Sequence, residues 1–197
     1  MKQYFLLIIL LVLASCTSVP SSQTNEPIKI GAILMLTGDV ASIGNAMRKG
    51  IEIAQDEINT KGGFRGRLLQ VVFEDDHFTG GEQSLGAVTA AQKLTSQDHV
   101  VASMSTSVND AKPAAPTFEA AKIPLVTLWD ANHELEDLGE YTFTIGFSTE
   151  HAGEIMAEYA YHKLGLKTLA ATYHIDEWSS LIYKSFVVRF KELGGTV

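Results

Sequence analysis

From residue 28 onward the chain alternates short apolar runs with longer stretches of helical period, and this alternation constrains the fold more than any other feature. Residues 28–36 (IKIGAILML) read as a short apolar strand. In 42–61, Ile43, Met47, Ile51, Ala54 and Ile58 recur on one helical face, which predicts a helix with those residues inward. Gly62 and Gly63 end it. The pattern then predicts a strand at 68–73, an alanine-rich helix at 81–97, a strand at 100–103, a helix at 110–121 and a strand at 124–128. Further on it predicts a strand-like run at 141–146 and a helix at 150–164 with Ile155, Tyr159 and Ala160 inward. A strand at 168–173 and a helix at 177–193 complete the series. Strands separated by helices of this length imply βαβ units, a parallel sheet and right-handed crossovers, hence an α/β fold.

The stretch before residue 28 has a different character. Met1 and Lys2 carry positive charge, and 4–13 is almost purely apolar. A bilayer-spanning helix needs about 20 apolar residues, twice this run. A short charged start and short apolar core before small residues mark a secretory signal, assigned to 1–15. Leu13, Ala14, Ser15 and Cys16 resemble the bacterial lipobox, in which the cysteine takes the lipid and becomes the mature N-terminus. The other reading of Cys16 is a buried or catalytic thiol, but nothing globular precedes it and no partner set surrounds it. Residues 16–27 then read as a lipidated cysteine and a flexible polar tether. Cys16 is the only cysteine, so there is no disulfide framework. A net charge of -8 argues against a nucleic-acid partner. At the other end, Gly194 and Gly195 read as a helix stop and Thr196-Val197 as the start of another strand, the expectation for a fragment of a longer protein.

In an open parallel sheet, ligands sit beyond the carboxyl ends of the strands. That rule selects 37–42, 103–109, 129–132 and 174–178. Ser105, Thr106 and Ser107 precede a helix, where free amides and hydroxyls suit a carboxylate or other small anion. Plain N-capping explains the same residues. No phosphate loop, paired-histidine zinc motif or Gly-x-Ser-x-Gly elbow occurs. Glu74, Asp75, Asp76 and His77 suggest a metal site, but neighbours on a strand point to opposite faces, which favours a polar strand end. His174, Asp176 and Glu177 raise the same question with the same answer. No metal, cofactor or catalytic set is expected, and an enzyme is the least favoured reading.

The segment IKIGAILMLTGDVASIGNAMRKGIEIAQDEINTKGGFRGRLLQVVFEDD, with AAPTFEAAKIPLVT and FKELGG further on, resembles the bacterial solute-binding proteins of branched-chain amino-acid ABC transporters, the Leu/Ile/Val-binding-protein-like group. Each motif alone is weak, and their order and spacing together are specific. The resemblance implies a two-lobed type I periplasmic-binding fold that closes on its ligand by hinge motion. It implies lobe one at 28–146 and the start of lobe two at 147–197. It implies ligand contacts from Ser105, Thr106, Ser107, Trp129, Asp130 and Ala131, with Trp178 where amino-acid binders place a cleft tyrosine. Ile43 and the Trp129-Asp130-Ala131 triplet depart from the amino-acid-binding pattern. Trp129 suits stacking on a ring and Asp130 suits an ammonium or hydroxyl, or Asp130 caps a following short helix and Trp129 packs at the lobe edge. The implied function is a lipid-anchored extracytoplasmic receptor for a small polar solute that partners an ABC permease. The alternative is the same fold used to contact a cell-envelope protein.

Overall fold

The computed structural model describes residues 26–78 and 85–197. The expected signal peptide, Cys16, nearly all of the tether and the start of the helix expected at 81 lie outside the described residues. Strands β1 (Ile28–Leu34), β2 (Leu69–Asp75), β3 (Ala102–Ser105) and β4 (Leu125–Thr127) are followed by β5 (Asp130–Ala131), β6 (Thr142–Thr144) and β7 (Phe147–Ser148). A five-stranded sheet has the order β2-β1-β3-β4-β6, and β5 pairs with β7 alone. All of these pairings are parallel, with Ile30 opposite both Val71 and Ala102. The helices are α1 (Ala41–Thr60), α2 (Leu85–Ser96), α3 (Val108–Ala121), α4 (Thr149–Glu158) and α5 (Glu177–Glu192). A 3-10 turn, His133–Asp137, follows β5, and a π turn, Tyr159–Lys163, continues α4.

The core of the first sheet lies under α2 and α3. Ala87, Ala91, Ala111, Ala114 and Ala115 are buried there with Ile33, Leu94, Phe118 and Leu125. Alanines bring the two helix backbones close to the strands, and Phe118 fills the remaining volume with no exposure.

Helix α1 lies differently from its apolar pattern. Ile43, Met47 and Ile51 are half-buried, but Ala54 is exposed and so is Ile58. The reason is polar. Gln55 Oε1 accepts the Val71 N–H at 2.6 Å, and Asn59 brackets Leu69, accepting its N–H at 2.7 Å and donating to its carbonyl at 2.8 Å. These side chains occupy the outer edge of β2, which would otherwise present unpaired backbone groups. The first turn of α1 docks at Gly44, its only buried residue, where a Cβ would stand 2.0 Å from the Met35 carbonyl oxygen.

The residues after β7 form a second unit with its own small core, apart from the sheet unit before them, and in it α4 packs on α5 through its small residues. Gly153 and Ala157 are buried, and a Cβ on Gly153 would meet Ile182 O at 2.4 Å. Ile155 and Tyr159, expected inward, are 54% and 57% exposed, because the close helix approach selects the glycine–alanine stripe; Ala160 does face inward. Phe190 and Phe186 stack beside it with ring centroids 5.5 Å apart. The strand expected at 168–173 is reduced to a single parallel bridge between Thr168 and Thr196. Among the described residues only 196–197 lie alongside it, and a strand needs a partner for each backbone group.

Candidate functional site

The loops leaving β1, β3 and β4 are joined beyond the ends of the strands. Thr106 donates its N–H to Ile33 O at 3.1 Å, and its Oγ1 accepts the Met35 N–H at 3.3 Å. Leu128 N–H bonds Ser105 O and Trp129 N–H bonds Thr106 O, both at 3.0 Å. Ser105 and Thr106 are thereby fully buried, and of the three hydroxyl residues only Ser107 reaches the open end.

That end opens on a cavity of about 390 Å³. Met35, Asp39, Val40, Phe78, Ser107, Asn109, Trp129 and Asp130 line it from the first unit, and His174, Asp176 and Trp178 from the second. The structure therefore brings Ser107, Trp129, Asp130 and Trp178 around one space, with Ser105 and Thr106 beneath it. Ala131 pairs with Ser148 in the β5–β7 ribbon and does not line the cavity.

At the amino end of α3, two backbone amides are taken by the chain's own carboxylates. Asp110 stands in capping-box register with Ser107, and its Oδ2 accepts the Ser107 N–H at 3.2 Å. Asp130 reaches across from β5, and its Oδ1 accepts the Val108 N–H at 3.1 Å. Asp130 thus caps α3, while Asn132 caps the 3-10 turn by accepting the Glu134 N–H. Ser107 Oγ is buried at this cap.

Charge is arranged around these caps. Burial pushes the Asp130 carboxyl above its ordinary range. Burial does so more strongly at Asp110, and the neighbouring Asp76 carboxyl, hydrogen-bonded to it, adds to the shift. Asp176 caps α5, accepting the Ser179 N–H at 2.7 Å and the Ser179 hydroxyl at 2.9 Å. Burial alone would raise its carboxyl, but those bonds and the His174 imidazole, 2.7 Å away, hold it below the usual range. Lys112 of α3 ties the two units, 2.5 Å from Glu134 and 3.3 Å from Glu177.

The acidic run after β2 disperses. Glu74 pairs with Lys93 at 2.6 Å, Asp75 accepts from Leu36 N–H and the Thr37 hydroxyl, and Asp76 turns inward to Asp110. Among the described residues no three such side chains are grouped to hold a metal, and no helix is long and apolar enough to cross a membrane. The strand-end rule locates the loops at 37–42, 103–109, 129–132 and 174–178. Phe78 and Met35 escaped it, although extending the same rule to the end of β2 reaches Phe78.

A parallel sheet whose carboxyl-end loops face a second helical unit across a shared cavity defines a two-part α/β architecture with a cleft between the parts. The chain belongs to the periplasmic binding protein family, whose pattern it matches over residues 27–197. It is 33% identical over 154 residues to a Leu/Ile/Val-binding protein homolog of Brucella melitensis, a match covering 76% of this chain and 40% of that protein. It is 27% identical over 173 residues to the Leu/Ile/Val-binding protein of Escherichia coli, covering 85% of this chain and 45% of that one. Among solved structures it is similar to a branched-chain amino acid transporter substrate-binding protein of Streptococcus pneumoniae in complex with isoleucine. That match has a TM-score of 0.75 at 27% identity, covering 87% of this chain and 48% of that one. A leucine-binding protein of Thermotoga maritima matches with a TM-score of 0.73 at 27% identity, covering 86% and 47%. The chain spans less than half the length of these relatives, and its fold is the α/β fold of type I periplasmic binding proteins.

Proposed function

We propose that this chain supplies lobe one (28–146) and the opening of lobe two (147–197) of a receptor for a small polar solute. The receptor is extracytoplasmic, tethered through a lipid on Cys16, and delivers its ligand to an ABC permease. It binds and releases without chemistry. The solute is an amino acid, an amide or a related compound. The observation that carries this reading is the cavity of about 390 Å³ with walls from both units, Trp129 and Asp130 on one side and Trp178 on the other. Relatives named for binding leucine, isoleucine and valine support it. Ser107, Trp129, Asp130 and Trp178 are the proposed contacts, with Ser105, Thr106 and Ala131 supporting the loops that carry them.

The test is thermal unfolding of the full-length gene product against a panel of amino acids, amides, aromatic acids and amines. A bound solute stabilises the fold by about 2.7 kcal/mol at a hundredfold excess over Kd, so the melting temperature rises with its concentration. A flat response across the panel overturns the receptor reading. Lipid attachment is tested separately, by labelling cells with a radioactive fatty acid. Label on the wild type and none on Cys16→Ser is expected, and label on both overturns the assignment.

A further inference from the structure

The cavity walls are chemically one-sided. Asp39, Asp130 and Asp176 contribute carboxyl groups, no lysine or arginine lines the space among the described residues, and the one histidine in the wall, His174, is paired with Asp176. The backbone donors expected to receive a ligand carboxylate are spent on the chain's own acids: Ser107 N–H on Asp110 and Val108 N–H on Asp130. An incoming anion would meet like charge and find two of these amides already taken. Trp129 and Trp178 offer aromatic faces, which attract cations through the ring quadrupole. Ser107 is 5% exposed and belongs to the same wall, and beyond its place in the capping box its Oγ keeps a second lone pair for an N–H donor.

We infer that the part of the cleft built by this chain takes an organic ammonium group, held by Asp130 and Ser107 Oγ with an aryl or alkyl body against Trp129 and Trp178. This rests on the receptor reading and names the ligand class for it: an amine whose cationic end, and not a carboxylate, faces the amino end of α3. Asp130 is suited to the role because it sits beside the cavity as a partly desolvated carboxyl with no ion pair among the described residues, and a bound ammonium supplies a counter-charge.

Both tryptophans of the chain line this cavity, so intrinsic fluorescence reports on it without a label. The experiment titrates the full chain with phenethylamine, with 3-phenylpropionate, which has the same ring with an anionic end, and with L-leucine. A saturable tryptophan change with phenethylamine, at least tenfold tighter than with 3-phenylpropionate or L-leucine, is expected. Asp130→Asn should weaken the amine at least tenfold. Should Asp130→Asn fail to fold, Trp178→Leu provides the second variant; Trp178 is 41% exposed, and Trp129 stays as reporter. Tighter or equal binding of 3-phenylpropionate or leucine overturns the ammonium assignment and leaves the receptor reading standing. No fluorescence response to any of the three overturns the assignment, and the receptor reading then stands or falls on the wider thermal panel.

Discussion

Helix α1 contains a matched pair of glycines that isolates one contact. Gly44 and Gly50 are both helical, and neither has a positive φ. Replacing a helical glycine by alanine stabilises by about 0.5–1 kcal/mol through the unfolded chain and helix propensity. At Gly50 nothing lies within 4 Å of the new methyl, so Gly50→Ala should show that gain alone. At Gly44 the methyl would stand 2.0 Å from Met35 O and 2.6 Å from Met35 C. Both are backbone atoms, and the Met35 N–H is held by Thr106 Oγ1, so the helix must lift instead. Overpacking of this kind costs about 1–3 kcal/mol. Because the propensity gain is common to both variants, their difference measures the docking contact: about 1–3 kcal/mol, at roughly 2–4 °C of melting temperature per kcal/mol. Urea unfolding followed by circular dichroism reads it. Gly44→Ala as stable as Gly50→Ala would refute the docking of α1 on Met35. A lifted helix also displaces Asp39 and Val40, which line the cavity just before it, so Gly44→Ala should weaken solute binding and Gly50→Ala should not.

Other perturbations have equally definite signs. Asp110 has its folded-state pKa raised, so acidification from neutral pH through that raised value should stabilise the fold until the ordinary carboxylate range is reached. Asp110→Asn removes this dependence, and the stability of the variant relative to wild type should increase between pH 5 and pH 8 in urea titrations; parallel profiles contradict the buried pair. Lys112→Met leaves Glu134 and Glu177 facing each other without a cation and should cost about 1 kcal/mol at low salt and less at 1 M salt. A loss independent of salt would point to packing of the lysine stem instead. Phe118→Ala empties the fully buried site under α3 and should cost about 3–5 kcal/mol by denaturant unfolding, and a loss below 1 kcal/mol would contradict the close packing described.

Local pattern was a good guide wherever a single element decides its own fate. The glycines after α1, the alanine-rich α2 and the apolar β1 are features of composition and period, and the structure places those elements within a few residues of expectation. Pattern failed where the partner decides. Ala54 and Ile58 fit an inward face, but α1 borders an edge strand whose donors need Gln55 and Asn59. Ile155 and Tyr159 fit one too, but Gly153 permits an approach of α5 that only small residues survive. The cavity shows the same division. The loops that reach it follow from strand order, whereas the closing of the α3 amides by Asp110 and Asp130 depends on a carboxylate arriving from 22 residues away. No spacing rule in one dimension encodes that bond.

The strand order is compatible with assembly in chain order. In the sheet β2-β1-β3-β4-β6, β2 takes one side of β1 and β3 the other, and each later strand adds to the one before it along a single growing edge. Among the described residues, no pairing in that sheet involves a residue beyond Thr144. A chain emerging amino-terminus first, from a ribosome or from an export channel, can therefore lay down this sheet strand by strand before α4 and α5 appear. The last strand laid, β6, leads directly into the β7 ribbon, where Phe147 and Ser148 pair with Asp130 and Ala131. The second unit is thus tethered to the acidic wall of the cavity from its first residues.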